Sequence, residues 1–219
     1  MENPEFICRL KYERGEDVRF VSHLDFVKVF ERALRRAAVR VAYSEGFNPR
    51  MLLVFGNPLP VGFTSCAEFV DIKTQTDYAP EELCALLNSH LPAPVRIISG
   101  VRLVKPYDSI VKSVRYNTYR IFSDASDSDA DNIIRGYNDA EGIETVKKSK
   151  SGPKTVEIKQ LIRRFGYDGE GGFTIETCGT QENNLRPDVA FNAITGRFAP
   201  GSVGILHIHK TDSSVQLLL

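Results

Sequence analysis

His23 is the one residue of this sequence that stands where it could act as a general base. It follows Ser22 at the predicted start of a helix, where the positive end of the helix dipole disfavours an imidazolium and favours the neutral ring. Ser22, His23 and Asp25 have the residue types of a catalytic triad, but neighbours on one helical turn do not converge in line on a substrate. Helix capping already explains Ser22 and Asp25. His23 is therefore the only catalytic candidate.

The remaining histidines and the cysteines predict no metal site. His207 and His209 alternate on a predicted strand and point to the same face, yet no third ligand accompanies them. The cysteines stand singly, without CxxC pairs or zinc spacing, and we interpret them as free thiols in a reducing compartment. They are Cys8, Cys66, Cys84 and Cys178. Because Gly-rich phosphate loops, HExxH motifs and nucleophile elbows are also missing from the sequence, we expect no metal or cofactor and none of the common enzyme classes.

The helix that starts near His23 is predicted to be amphipathic with a basic outer face. Ser22 is the expected N-cap, with Asp25 reaching back as in a capping box. Val21 and Phe26 occupy the positions of a hydrophobic staple. At about 100° per residue, apolar side chains share one arc of the helix and basic side chains share another. The basic arc contains Lys28, Arg32, Arg35, Arg36 and Arg40.

The charge of this region differs from that of the whole chain. Between Arg19 and Arg50 there are seven basic and three acidic residues, whereas the complete sequence of 219 residues has a formal net charge of zero. Basic side chains aligned on a helix can each neutralise a nucleic-acid phosphate. The same row also suits a solvated helix surface. Both interpretations are open at the level of the sequence.

The turn that follows the helix adds groups suited to RNA. Tyr43–Arg50 (YSEGFNPR) contains two aromatic rings, an amide and an arginine. Aromatic rings stack on unpaired bases and a guanidinium binds phosphate, as in single-stranded RNA recognition. Alternatively, Gly46 and Asn48–Pro49 form the turn and the aromatic rings belong to the core. The predicted RNA-binding residues are Arg19, Lys28, Arg32, Arg35, Arg36, Tyr43, Asn48 and Arg50.

The elements that position these residues repeat along the chain. Residues 1–105, which carry the SHLD and YSEGFNP motifs, show the order strand, helix, strand, strand, helix, strand. Residues 114–219 repeat that order with an extra hairpin, and Pro106 interrupts the periodicity between the two. This pattern predicts an α+β fold of two tandem ferredoxin-like (βαββαβ) units with antiparallel sheets.

The second unit has its own contrast in charge. An acidic run from Asp124 to Asp131 opens its first helix, where acids suit the positive end of the dipole. From Glu144 to Arg164 there are seven basic and two acidic residues, around a predicted hairpin of residues 144–150 and 154–158. This basic hairpin could grip an RNA backbone, or its lysines could protect a strand edge from aggregation.

Composition excludes several classes of protein. With 42% hydrophobic and 26% charged residues, the chain can bury a substantial core. Its first residues lack the charged and apolar regions of a secretory signal peptide, and no apolar run approaches about eighteen residues. We therefore expect a soluble, cytoplasmic protein with no membrane partner.

The motifs together resemble a known bacterial family. The SHLD and YSEGFNP motifs, followed by Pro58–Gly62 and Glu68–Ile72, are similar to the radical-SAM-linked protein family, whose function is uncharacterised. Asn184–Asp188 (NLRPD) matches the second signature of that family, so the resemblance covers nearly the whole chain. In place of the Pro-Lys expected after Arg50, this chain has Met51–Leu52, which removes a basic contact from that point.

The resemblance implies a partner. Members of that family occur beside a radical SAM protein with an iron–sulfur cluster, or fused to its C-terminal side. This chain has no CxxxCxxC motif, so the cluster and SAM would belong to the partner. The resemblance therefore implies an accessory or substrate-presenting protein, and the basic helix and the aromatic turn favour RNA as its ligand.

Two other hypotheses are compatible with the residues. The chain could itself be a metal-independent ribonuclease that uses His23 with Tyr43 and Arg50. It could also be a protein-interaction module whose partner is the radical SAM protein.

Overall fold

A computed structural model of the chain describes residues 5–149 and 152–215. The chain divides into two compact units. Unit 1 contains the residues up to Val114 together with Val215, and unit 2 contains Arg115–Ser214. The strand pairs we describe in each unit are antiparallel. The predicted α+β class, with a mostly antiparallel arrangement of strands, is therefore confirmed. Within the described residues, no helix is long and apolar enough to cross a membrane.

Unit 1 has the order strand, helix, strand, strand, helix, strand. The elements are β1 (Phe6–Arg14), α1 (His23–Arg36), β2 (Leu53–Phe55), β3 (Thr64–Thr74), α2 (Pro80–Asn88) and β4 (Val95–Leu103), followed by a one-turn helix α3 (Ile110–Ser113). The strands are arranged in the order β4–β1–β3–β2. Residues on alternate positions of β1 and β3, including Leu10 and Ile72, are buried against the helices. One face of this sheet therefore forms the core of the unit.

Aromatic packing fixes the side of α1 that faces this core. Phe26 and Phe30 are fully buried. The ring centroid of Phe30 lies 5.0 Å from that of Tyr12 on β1 and 5.3 Å from that of Phe55 on β2. Val21 packs against the same cluster, which also contains Phe26, as the predicted hydrophobic staple requires. Because this arc is buried, the basic arc of α1 is directed to solvent.

The end of α1 differs from the prediction. The amide of Val39 donates to the carbonyl of Leu34 at 3.1 Å, and the amide of Ala38 donates to the carbonyl of Arg35 at 3.1 Å. Ala38 has a φ of 52°, so these bonds form a Schellman motif with alanine where glycine is usual. The left-handed residue turns the chain off the helix axis. The prediction that Arg40 continues the basic arc is therefore wrong, because Arg40 lies beyond the helix.

The other face of the unit 1 sheet carries a buried ion pair. Arg9 and Asp71 are 3% and 5% exposed, and Nε of Arg9 donates to Oδ1 of Asp71 at 2.7 Å. The Arg9 guanidinium also donates to the carbonyl of Asp108, and the amide of Ile110 donates to Oδ2 of Asp71. Ser113 accepts a further bond from Arg9 at 3.1 Å. The segment after β4 is thus fastened onto the sheet by this pair.

Unit 2 repeats the order with an inserted hairpin. The elements are β5 (Val114–Ser123), α4 (Asp127–Asp139), β6 (Glu144–Ser149), β7 (Gly152–Glu157), β8 (Ile162–Gly169), β9 (Gly172–Cys178), α5 (Pro187–Phe198) and β10 (Ile205–Val215). Four strands are arranged in the order β10–β5–β9–β8, and β6 and β7 form a separate two-stranded sheet. The predicted hairpin is confirmed by this pairing, although Lys150 and Ser151 at its predicted tip lie outside the described residues.

Strand β8 is absent from the sequence-based assignment. Gly166 and Gly169 interrupt its alternation, and Arg163 and Arg164 are exposed at its start. Its place in the sheet is secured by Phe165, whose ring stacks on that of Phe173 at a centroid distance of 5.6 Å. Such a contact across strands leaves no signal in the local pattern.

Candidate nucleic-acid interface

The SHLD motif forms the start of α1. The amide of Asp25 donates to Oγ of Ser22 at 3.2 Å, so the predicted N-cap is confirmed. In return the Asp25 carboxylate accepts a bond from the Ser22 hydroxyl at 2.8 Å, where a capping box would use the Ser22 backbone amide. Lys28 donates to the same carboxylate at 2.9 Å. These two partners, Lys28 first, lower the pKa of Asp25 and keep it charged beside the helix N-terminus.

His23 is half-buried beside the core of unit 1. Its ring meets the ring of Phe55 edge-on at a centroid distance of 5.8 Å. Burial lowers the pKa of His23, the positive charge of Arg14 lowers it further, and Glu68 acts in the opposite direction. Among the described residues, no hydrogen bond or ring contact joins His23 to Tyr43 or Arg50. No direct contact therefore joins the three residues of the ribonuclease hypothesis, which stays a prediction.

A buried arginine that was not predicted from the sequence binds the loop that precedes α1. Arg14 is 2% exposed, and its guanidinium donates to the carbonyls of Val18, at 3.0 Å, and Val21. It also lies 4.7 Å from the ring centroid of Phe26. These contacts bind the loop before α1 to the sheet. Nothing in the local sequence distinguishes Arg14 from an exposed arginine, since its partners are backbone carbonyls in a loop.

The outer face of α1 carries four exposed basic side chains, which we call the basic face: Lys28, Arg32, Arg35 and Arg36. Lys28 pairs with Asp25, and Arg35 lies 3.7 Å from Glu31. Arg36 donates to the backbone carbonyl of His90. In the part of the chain that the structure describes, Arg32 forms no ion pair or side-chain hydrogen bond. The predicted basic face is therefore present on α1 without Arg40.

Arg19 lies apart from the basic face. It pairs with Glu16 and its guanidinium lies 4.8 Å from the ring centroid of Phe20. The residue belongs to the loop that precedes α1, where its carbonyl accepts a bond from the amide of Gly62 at 2.8 Å. Phe20 is 70% exposed.

The YSEGFNPR segment forms a closed loop, which we call the Tyr43–Arg50 loop. Tyr43 bridges to Met51, the amide of Ser44 donates to the carbonyl of Arg50 at 2.8 Å, and the amide of Arg50 donates to Oγ of Ser44 at 3.0 Å. Met51 is buried and anchors the base of the loop. Gly46 has a φ of 111°, a conformation that other residues rarely adopt.

The side chains of this loop point to solvent. Phe47 is fully exposed and Tyr43 is 44% exposed, so neither ring is a core residue. Asn48 and Arg50 are also exposed. Phe47 was not among the predicted binding residues, because an aromatic residue in a turn is as compatible with the core as with a ligand.

His207 and His209 both lie on β10. In the described residues there is no group of three His, Cys, Asp or Glu side chains that could hold a metal ion. His207 instead packs on Phe122, with the ring centroids 6.0 Å apart and the planes 26° from parallel.

Comparison with known proteins identifies a family and a fold. Residues 8–187 match the family described as "Uncharacterized protein conserved in bacteria (DUF2344)". No curated protein matches the sequence. A solved structure titled "Crystal Structure of a Cbf5-Nop10-Gar1 Complex" contains a similar chain, with a TM-score of 0.50 and 11% identity over 95% of this chain. The present chain spans about half, 48%, of that chain's length. At this identity the likeness shows a shared fold alone.

Proposed function

The chain belongs to the DUF2344 family of bacterial proteins of uncharacterised function, and from that premise we propose that it is a non-catalytic RNA-binding protein. RNA binds along the basic face of α1 and is presented to a partner enzyme. The observation that carries the proposal is the exposure of four cations on one side of a helix whose other side is buried in the core.

The ion pairs on the basic face do not compete strongly with RNA. An exposed pair such as Lys28 with Asp25 contributes only about 0–1 kcal/mol, because water and salt screen it. A phosphate offers each cation a comparable bond and also releases counterions from the nucleic acid. Arg32, which forms no ion pair or side-chain hydrogen bond among the described residues, is open to a phosphate from the outset. We therefore assign Arg32 the central position on the surface.

The proposed partner is a radical SAM protein, in line with the family resemblance of the motifs. The partner would hold the iron–sulfur cluster and SAM, and this chain would supply RNA binding. The proposal also includes two ferredoxin-like units, which is supported by the strand orders β4–β1–β3–β2 in unit 1 and β10–β5–β9–β8 in unit 2.

A second candidate function is protein interaction, favoured by exposed apolar side chains beside the start of α1. Phe20, Leu24 and Val61 are 70%, 73% and 58% exposed. Gly62 lies next to Phe20, since a Cβ at Gly62 would meet its ring edge at 3.9 Å. If this is the main function, the purified protein will bind a radical SAM protein without RNA and will not bind RNA itself.

A charge-reversal pair tests the RNA-binding proposal. Arg32→Glu places a negative charge on the basic face, and Arg135→Glu makes the same change at an exposed helical position of α4. Filter binding to total cellular RNA is measured at two salt concentrations. Arg32→Glu should weaken binding about tenfold at low salt and make the salt dependence shallower by about one ion, because a phosphate contact is lost.

Arg135→Glu should leave binding unchanged. Equal losses in the two variants would show that only net charge matters and would contradict a specific surface. Absence of RNA binding by the native protein at low salt would exclude the proposal and favour protein interaction. Both positions are exposed, so the free energy of unfolding of each variant should lie within about 0.5 kcal/mol of that of the native protein.

A further inference from the structure

We infer that the ring of Phe47 stacks on an unpaired base, so that the RNA bound by this protein is single-stranded at the Tyr43–Arg50 loop. The inference rests on the proposed RNA-binding function and specifies its ligand. It also adds Phe47 to the eight residues predicted to bind RNA.

Hydrogen bonds close the base of the loop that carries Phe47. Its base is closed by the two bonds between Ser44 and Arg50, and by the bond from the amide of Leu52 to the carbonyl of Ala42 at 2.8 Å. Ordering a flexible loop on binding would cost conformational entropy, and a closed loop avoids much of that cost. The ring is therefore presented to solvent by a preformed support.

Phe47 has no packing role in its unit. It is fully exposed, and no ring or cation contact involves it among the described residues. The adjacent Gly46 leaves further room, because a Cβ at Gly46 would meet no atom within 4 Å. A flat ligand can therefore approach the ring beside Gly46 without displacing a side chain.

The neighbours of Phe47 favour a nucleic acid over a protein. Asn48 can donate to and accept from the edge of a base, and Arg50 is exposed with no side-chain partner among the described residues. Arg40, before the loop, bonds to Tyr78 through its backbone amide and leaves its guanidinium to solvent. A protein-docking patch would extend the apolar surface around the ring, but Ser44, Glu45, Asn48 and Arg50 make these surroundings polar.

Stacking distinguishes single-stranded RNA from a duplex. In an A-form helix the faces of each base are covered by its neighbours, and only unpaired bases offer a free face to an aromatic ring. Each base stacked on an aromatic side chain contributes about 1–3 kcal/mol, measured by alanine substitution. The effect of Phe47 should therefore appear with single-stranded RNA and not with duplex RNA.

The test measures both kinds of RNA with one set of variants. A fluorescein-labelled 12-nucleotide oligouridylate and a 12-base-pair RNA duplex are titrated with the full chain at low salt. Phe47→Ala should weaken binding of the oligouridylate about tenfold, leave the duplex affinity unchanged, and keep the salt dependence of the native protein. Phe47→Tyr should restore binding because it keeps the ring, whereas Phe47→Leu should resemble the alanine variant.

The outcomes separate this inference from the proposed function. If the native protein binds oligouridylate and Phe47→Ala binds it equally well, the stacking inference is overturned while RNA binding stands. Equal losses for oligouridylate and duplex would also overturn it, since stacking acts on unpaired bases only. If the native protein binds neither RNA, both the proposed function and the inference fail. Loss of a protein partner from Phe47→Ala, without any RNA binding, would assign the ring to a protein interface.

Discussion

Helices α1 and α4 occupy the same place in the order of elements of the two units and share the same pair of capping residue types, yet their net charges have opposite signs. Each follows the first strand of its unit and starts with a serine cap and an aspartate three residues later, Ser22 with Asp25 and Ser126 with Asp129. Helix α1 contains four basic and two acidic residues, whereas α4 contains Arg135 as its single basic residue against Asp127, Asp129, Asp131 and Asp139.

The residues that start each helix are distinct from those that set the sign of its charge. The capping bonds are nearly the same, so they account for the fold and not for the charge. Ten residues after each cap the helices differ again. Arg32 is exposed on α1, whereas Gly136 on α4 lies against the ring of Phe198 of α5. In unit 2 this position packs against a second helix, whereas in unit 1 it is exposed to solvent.

The largest effect on this comparison is expected from Gly136→Ala. Alanine favours a helix by about 1 kcal/mol over glycine. At this position, however, the added methyl group would overlap the Phe198 ring, and forced overpacking costs about 1–3 kcal/mol. Because the ring atoms of Phe198 lie closer to this position than real Cβ contacts allow, we take the upper end of that range, about 3 kcal/mol, and expect a net loss of about 2 kcal/mol in the free energy of unfolding, measured by urea denaturation.

The Phe198→Ala background provides the control for this change. Without the ring the overlap disappears, so Gly136→Ala should there stabilise the protein by about 1 kcal/mol through helix propensity alone. The same sign in both backgrounds would refute close packing at Gly136 as the reason for the difference between the helices.

Removing the two caps should have smaller and unequal effects. In α4 the capping box is complete, because the amide of Ser126 also donates to Asp129 at 3.3 Å. In α1 the corresponding bond is made by the Ser22 hydroxyl. Ser126→Ala should therefore cost about 1 kcal/mol and Ser22→Ala about 0.5 kcal/mol.

Urea denaturation measures both cap variants beside Ser128→Ala, which lies in the first turn of α4 but not at the cap. That control should change stability by no more than about 0.5 kcal/mol. A larger loss from Ser22→Ala than from Ser126→Ala would show that the incomplete box is the stronger cap.

The smallest expected effect concerns the first helical residue, which is His23 in α1 and Asp127 in α4. Burial, followed by Arg14, lowers the pKa of His23 in the folded protein, against the opposing effect of Glu68. The unfolded chain, with the ordinary value of about 6.5, therefore binds the proton more readily. Its contribution to stability is intact above about pH 6.5 and is lost as the pH falls through the lowered pKa.

Thermal unfolding between about pH 7.5 and 5 measures this contribution. The native protein should lose melting temperature toward the acid end, and His23→Asn, which cannot bind the proton, should show a shallower slope. Identical slopes for the two proteins would mean that His23 does not sense the surrounding core.

Local chemistry explains which elements could be predicted. The cap at Ser22 and the staple of Val21 with Phe26 depend on residues within one turn, so the start of α1 can be predicted from the sequence. The end of α1 cannot be predicted in the same way, because Ala38 adopts a left-handed conformation that is unusual for alanine. Strand β8 is missed for a related reason, since its position depends on Phe173 in the next strand.

The basic residues of the candidate interface could be predicted from the sequence, but the solvent exposure of its aromatic residue could not. The arc that contains Lys28 and Arg32 follows from helical periodicity alone. The exposure of Phe47 depends on how Ser44 and Arg50 close the loop, a property of the folded backbone. Arg14 was missed altogether, because its partners are the backbone carbonyls of Val18 and Val21 in the loop before α1, and no residue type in the sequence marks those carbonyls as acceptors.

The buried pair of Arg9 with Asp71 determines how the chain can be cut into pieces. A fragment that stops at Lys105 would keep both charges but would lose the Asp108 carbonyl, the Ile110 amide and the Ser113 hydroxyl that surround them. A buried ion pair is tolerated only when its remaining polar atoms are satisfied. A fragment extended to Val114 retains those groups. The productive boundary for expressing unit 1 by itself therefore lies after the one-turn helix α3, not at the proline that interrupts the sequence pattern.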